Sequence, residues 1–403
     1  MTLEPVSVRY HSLDAVRAFA LLLGIVFHAS MSFLPMNIWV IQDHHTSHLL
    51  SVFVFVSHSF RLEIFFLIAG FFARLLYYRR GVSVLMKNRV KRILIPFVFG
   101  WLILRPLLVF GWIIGSMKVS GEVDYLHALR GGVSNIVSGK SIFSGTHLWF
   151  LYYLLLIYVC FFILRKIFVI FDGSSAIRKW MDYIFHWLMH SSWRILILAI
   201  PTVLFLIGMD DWHVDTPDQT LVPHIPVLLL YGFVFSIGWM LHRQSGLLEL
   251  FAKKIWINFV IALPLIILAV FMFFNYQQAT EHANYALIRI SYNCVYALMM
   301  WLLVFGVLGC FVRYFSGSSV IWRYISDSSY WLYLVHLPLV VWLQVEFAHL
   351  GLHWTLKLFL INLIAFIILF ASYHYCVRST FIGATLNGRK YPFRINPFAS
   401  SNR

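Results

Sequence analysis

The chain has 403 residues, of which 61% are hydrophobic and 12% charged, with a mean hydropathy of +0.81. A soluble domain sits nearer half apolar and a quarter charged, so these values exclude one and point to an all-α bundle buried in lipid. The net charge of +15 would raise nucleic acid as a partner of a soluble protein, but the cations gather in every second loop rather than in a stripe, which is a topology signal.

A helix needs roughly 20 apolar residues to cross the hydrocarbon core. About ten segments qualify: 13–33, 58–76, 93–114, 148–171, 195–209, 225–242, 255–275, 286–311, 330–347 and 356–376. The first is expected to stay in the mature protein. Glu4 and Asp14 sit among Arg9 and Arg17, and no small-residue cleavage site follows the apolar run. The stretch 49–56 either extends the second helix or lies in the interface, and the fifth segment is short and holds Pro201. Between the fourth and fifth, Ile177, Trp180, Ile184 and Leu188 recur at spacings of three and four, which predicts a helix lying in the interface. Residues 1–380 read as one transmembrane unit and 381–403 as a tail. Cys160, Cys294, Cys310 and Cys376 all fall in apolar segments without metal spacing, so neither a disulfide framework nor a metal site is expected.

Loop charges orient the bundle. Arg79, Arg80, Lys87, Arg89, Lys91 and Arg92 follow the second helix, Arg165, Lys166, Arg178, Lys179 and Arg194 the fourth, Arg243, Lys253 and Lys254 the sixth, and Arg313 and Arg323 the eighth. The tail adds Arg378, Arg389, Lys390, Arg394 and Arg403. The alternate loops carry Asp43 after the first helix and Asp210, Asp211, Asp215 and Asp218 after the fifth; the loop with Lys118, Arg130 and Lys140 is the exception. The asymmetry places both termini in the cytoplasm.

Ionisable residues at membrane depth are costly and mark function by default. Arg17 and His28 are eleven residues apart on the first helix, about 16 Å and close to three turns, so they share a face. On the second helix Arg61 and Glu63 are two apart and cannot face each other; Arg105 or Arg289 would supply a partner for Glu63. Arg74, near the helix end, is expected to snorkel. Trp149 and Trp331 read first as interfacial anchors. His336 lies two residues before Pro338, whose missing N–H frees a backbone carbonyl nearby. Gly70, with Ala69 and Ala73, permits close helix packing. Arg89 and Arg92 are at i, i+3, a pair suited to phosphate.

Five stretches together resemble the acyltransferase 3 family. They are Asp14 with Arg17 and His28; Phe65-Phe66-Leu67-Ile68-Ala69-Gly70-Phe71; Arg89 and Arg92 leading into Ile93-Leu94-Ile95-Pro96-Phe97; His147-Leu148-Trp149-Phe150-Leu151; and the run from Ser329 to Pro338. They occur in family order and span most of the chain. The family usually has Ser where this chain has Ala69, and Arg105 belongs to no motif of the family. Stretch 60–66 and the His147 region are most similar to members that succinylate periplasmic glucans.

The resemblance implies an acyl transfer across the membrane. The donor is a cytoplasmic acyl-CoA, succinyl-CoA or acetyl-CoA, used as a co-substrate with no permanently bound cofactor. The acceptor is a periplasmic glucan hydroxyl, and contact with glucan-synthesis proteins is left open. Arg89, Arg92 and Arg17 are then expected at the CoA moiety, and His28 with Arg17, Glu63 and His336 at the chemistry. Asp14, Arg61, Arg105, His147 and Trp149 are expected at the substrates, with Arg61 and Arg105 as cations for a succinyl carboxylate. A sugar hydroxyl needs a base as it attacks, and a histidine suits that role. Two alternatives stand beside this reading: an O-acetyltransferase for another envelope polysaccharide or lipid-linked sugar, and a glycan transporter without chemistry.

Overall fold

The computed structural model describes residues 9–36, 38–120, 124–137 and 146–393. Glu4, Lys140, Arg394 and Arg403 lie outside them. Regular structure among the described residues is helical: α1 (His11–Ser30), α2 (His48–Arg89), α3 (Ile95–Ser120), α4 (Tyr125–Val137), α5 (Trp149–Phe171), α6 (Ala176–His190), α7 (Arg194–Ile207), α8 (Ile225–Arg243), α9 (Leu248–Lys253), α10 (Ile255–Tyr276), α11 (Tyr285–Tyr314), α12 (Val320–Phe347), α13 (Trp354–Ser372) and α14 (Phe381–Asn387).

Among the described residues, eight helical runs are long and apolar enough to cross a membrane, or nine if the bent pair α6–α7 counts as one span. One of the eight, His48–Lys118, has 71 residues, about 105 Å at 1.5 Å per residue, against a hydrocarbon core of roughly 30 Å. It contains two of the predicted segments. The chain leaves helical geometry at Gly81, φ +77° and ψ 170°, a conformation that glycine alone adopts cheaply. Beyond the break Arg89 donates to the Tyr158 hydroxyl, which itself lies 3.5 Å from the Ala69 carbonyl before it. At the other end, His58 of α2 and Trp112 of α3 line one cavity. The run therefore passes through the bundle and returns, and each of the ten predicted segments falls on a helix.

Boundaries differ where polar residues lie inside helices. Stretch 49–56 belongs to α2, and the cations of 79–92 are helical rather than in a loop. The sequence reading has no counterpart of α4, which packs on α3 with Gly132 against Pro106. α12 begins ten residues before the predicted start. Ser319 caps it by accepting from the Trp322 N–H, and Ser328 and Ser329 donate to carbonyls of their own helix at 2.8 and 2.7 Å, so these polar side chains need no solvent. The expected interfacial helix is α6, bent 111° from α7, with Trp180 and Trp187 exposed.

Small residues set the tightest crossing. A β-carbon on Gly70 would sit 2.0 Å from the Phe235 carbonyl oxygen, and one on Gly238 would sit 1.8 Å from that of Leu67. The two glycines let the backbones of α2 and α8 touch, which fixes the height of Arg61 and Glu63, two turns above Gly70. Arg74, expected to snorkel, instead is buried with its guanidinium 4.4 Å over the Tyr78 ring.

Candidate active site

α1 turns Arg17 and His28 toward α12. Arg17 Nη2 donates to Ser326 Oγ at 2.5 Å and lies 3.5 Å from Asp14 Oδ1, while Arg9 Nε donates to Asp14 Oδ2 at 2.7 Å. The His28 ring centroid is 5.3 Å from that of His336. Eleven residues on α1 thus run beside ten on α12, from Ser326 to His336, and the shared face read from the spacing is a helix–helix contact.

Around His28 a cavity of about 330 Å³ opens at the cation-poor end. Its lining includes His28, His58, Arg61, His147, Trp149, His213, Tyr333 and His336, with Trp39, Thr216 and Asp218 contributed by loops. It reaches inward along α1 as far as Ala20; Arg17, Arg89 and Arg92 do not line it. Trp149 is 6% exposed, a cavity wall rather than an anchor in the membrane interface.

Backbone carbonyls assign the imidazole tautomers. His336 Nδ1 lies 2.7 Å from the Tyr333 carbonyl and 3.2 Å from that of Leu332. A carbonyl can only accept, so Nδ1 carries the proton and Nε2 is the basic nitrogen. His147 has the opposite arrangement. Its Nε2 is 3.0 Å from the Leu334 carbonyl, leaving Nδ1 as the basic nitrogen, buried and without a hydrogen-bond partner among the described residues. The Leu334 carbonyl is available because residue 338, which would normally donate to it, is proline. Tyr333 completes the arrangement by donating to the His147 carbonyl at 2.5 Å.

His28 is held through its backbone. Gln344 Nε2 donates to the His28 carbonyl at 2.8 Å, and Gln344 Oε1 accepts from Trp39 Nε1 at 2.9 Å. The Trp39 ring stands 6.1 Å from the imidazole. His28 Nδ1 is buried without a hydrogen-bond partner among the described residues.

Arg61 and Glu63 sit behind this cluster. The Arg61 guanidinium lies 4.1 Å over the Phe27 ring, and its Nη1 is buried without a partner among the described residues. Glu63 is fully buried, and neither of its oxygens has a hydrogen-bond partner among those residues. The pairing expected for it is not made. Arg289 instead donates to the Met209 and Asp210 carbonyls, bracing the loop that carries His213 and Asp218. Arg105 is buried with its guanidinium 4.9 Å over Trp101 and does not line the cavity.

The remaining predicted residues gather at the opposite end. Arg89 Nη1 donates to the Tyr158 hydroxyl at 3.0 Å, and Arg92 Nε donates to the Leu386 carbonyl at 2.7 Å with its guanidinium 5.3 Å over Tyr330. The structure thus brings His28, His147, His336, Arg61 and Trp149 together, sets Glu63 behind them, and puts Arg17, Asp14, Arg89 and Arg92 at the cation-rich end.

Several wall residues carry no signal of their own in the sequence. His58, on α2 one turn from Arg61, has its ring 5.0 Å from that of His213. Thr146 has φ +46°, an uncommon conformation for a β-branched residue, and its N–H donates to the Asp218 carbonyl at 3.0 Å. The loop bearing Trp39 is pinned by Asp43, which accepts from Lys357 Nζ at 2.6 Å with both side chains buried.

With this geometry in hand, comparison with known proteins gives the lineage. A family model described as an acyltransferase domain, of the acyltransferase 3 type, matches residues 10–375. The chain belongs to the acyltransferase 3 family. Among curated proteins it is similar to glucans biosynthesis protein C from two strains of Escherichia coli, 33% and 32% identical over 173 residues, or 42% of this chain. The match spans 43% of the length of those relatives. No solved structure matches the chain. The chain is therefore a helical protein of the acyltransferase 3 family whose long apolar helices suit a membrane.

Proposed function

We propose that this chain moves an acyl group from a cytoplasmic acyl-CoA to a hydroxyl of an envelope glycan on the other side of the inner membrane. The acyl group is succinyl and the acceptor a periplasmic glucan. One observation carries this reading: a cavity at the cation-poor end holds three neighbouring imidazoles and one buried guanidinium, and the helices of His28 and Arg61 carry Arg17 and Arg89 toward their other ends. The name of the similar glucans biosynthesis protein C supports the glucan acceptor.

In this reaction the acceptor oxygen attacks the thioester carbonyl, and an imidazole takes the hydroxyl proton as the new C–O bond forms. The C–S bond then breaks and the thiolate recovers that proton. His28 is the base. It lies beside His336, whose basic Nε2 is set by its own backbone contacts. Arg61 holds the distal carboxylate of the succinyl group, a charge that a buried site tolerates only beside a fixed cation. Glu63, two residues away, balances Arg61 from behind. Arg89 and Arg92 exchange their protein acceptors for CoA phosphates, and Arg17 receives the pantetheine arm.

The test uses purified protein in vesicles, with labelled succinyl-CoA or acetyl-CoA outside and glucan inside. Label is expected on the glucan from succinyl-CoA. Arg61→Leu should lower succinyl-over-acetyl selectivity about tenfold or more, the scale of a charge-assisted hydrogen bond. Acetyl-CoA preferred by the unaltered protein would make it an O-acetyltransferase, and failure to consume any acyl-CoA would favour glycan transport.

A further inference from the structure

The cation-rich end is closed by the last described residues. α14 packs on the turn at 373–377, where a β-carbon on Gly383 would meet the Val377 carbonyl oxygen at 2.4 Å. Leu386 is 3% exposed, and its carbonyl accepts from Arg92 Nε at 2.7 Å. Asn387 donates to the Tyr373 hydroxyl at 3.0 Å. At Gly388, φ +73° turns the chain, and Tyr391 and Arg389 return to α12. Both donate to the Asp327 carboxylate, the tyrosine through a short hydrogen bond and Arg389 Nη2 at 3.5 Å. The Arg389 and Arg378 guanidiniums stand 4.4 and 4.9 Å from the Tyr391 ring centroid. Asp327 adjoins Ser326, the acceptor of Arg17.

We propose that residues 381–391 form a strap latched to Asp327, which keeps Arg92 engaged until a phosphate-bearing donor displaces it. This rests on the reading that acyl-CoA enters at Arg92. The exchange has a direction. Leu386 offers Arg92 a neutral carbonyl, whereas a phosphate offers a charge-assisted and bidentate partner. A phosphate can take Arg92 fully only once the carbonyl has left, so it binds the open form better and shifts the population toward it. Arg378, whose guanidinium lies over the Tyr391 ring, and Arg389, 3.5 Å from Asp327, gain in the same way. Tyr391 is the part of the latch that a small change can release.

Accessibility of residue 386 reports the strap. Leu386→Cys is placed in the full chain with Cys160, Cys294, Cys310 and Cys376 replaced by alanine, and its maleimide labelling rate is measured. Labelling should be slow, and Tyr391→Phe, which removes only the hydroxyl, should speed it about tenfold, the scale of one hydrogen bond to a charged group. Coenzyme A should speed it with Tyr391 intact, and Tyr391→Phe should lower the acyl-CoA KM with kcat nearly unchanged. An unchanged rate in Tyr391→Phe overturns the latch. Turnover of acyl-CoA with no effect of coenzyme A on labelling overturns displacement. If no acyl-CoA is consumed, the acyl-transfer reading fails instead, and the Tyr391→Phe rate still decides whether the latch exists.

Discussion

The two ends of the bundle treat their cations differently. At the cation-rich end Arg17, Arg89, Arg92, Arg178 and Arg389 each donate to a protein acceptor: a serine, a tyrosine, a carbonyl or a carboxylate. In and behind the cavity, Arg61 Nη1, His28 Nδ1, His58 Nδ1, His147 Nδ1 and both Glu63 oxygens are buried without a hydrogen-bond partner among the described residues. Each such group costs about 1–3 kcal/mol when left unmade, and native interiors contain few. The cation-rich end holds such atoms too, Arg17 Nε and Arg89 Nε among them, but those two guanidiniums are anchored through another nitrogen, whereas Glu63 is left with neither oxygen paired among the described residues. Water or substrate in the cavity would offset that cost for the groups that line it, His28, His58, Arg61 and His147.

The contrast predicts that removing an unpaired cavity group damages activity without damaging the fold. His28→Ala should lower acyl transfer by roughly 10² to 10⁴-fold, the range of general base catalysis. Its melting temperature should stay at or above that of the unaltered protein, since a buried unpaired nitrogen is removed. Activity retained within a few-fold would take His28 out of the chemistry, and an unfolded variant would mean that the imidazole is structural.

Asp43 breaks the pattern, because it is a satisfied ion at the cavity end. Asp43→Ala strands Lys357, whose side chain is 1% exposed, and should cost about 3–5 kcal/mol. Trp39 would lose its place beside His28 as well. Replacing both partners, Asp43→Leu with Lys357→Met, should recover most of the stability, because a buried pair exchanged for apolar groups is often neutral. If the double variant melts no higher than Asp43→Ala, the loop needs more than the pairing.

How much of this was legible in the sequence follows from the range of the interactions. The spans were legible because each is a local apolar run, and the common face of Arg17 and His28 because helical period alone sets it. The freed carbonyl near His336 followed from Pro338, though not that His147, nearly two hundred residues away, would use it. α12 was read too short because Ser326, Asp327, Ser328 and Ser329 look like a loop until their partners are known. The missing partner of Glu63 and the loop walls at Trp39, Thr216 and Asp218 depend on contacts between distant segments, which no local pattern encodes.

Pro338→Ala tests the His147 arrangement with a smaller effect. Alanine restores the N–H that a helix directs at the Leu334 carbonyl, so His147 Nε2 must share its acceptor. Activity should fall by several-fold up to about tenfold, with stability unchanged or raised, because a helix interior prefers alanine to proline. Unchanged activity would show that the His147 tautomer is not used.

The smallest effect is expected at the cation-rich end, at the turn from α5 into α6. Asp172 accepts from the Ile177 and Arg178 N–H groups at 3.0 Å and from Arg178 Nε at 2.8 Å. Burial alone would raise its carboxyl pKa, but these donors and the Arg178 charge outweigh burial and hold it below the usual carboxylate value. A carboxyl lowered by folding contributes stability that is complete above its unfolded pKa and disappears as pH falls through the folded value. Asp172→Asn removes that charge. The variant should therefore melt slightly below the unaltered protein at neutral pH, and the gap should close on acidification below pH of about 4, near the unfolded aspartate value. Acyl transfer should not change, because no cavity residue touches this turn. A gap that persists at low pH would mean that the hydrogen bonds rather than the charge hold α6 in place.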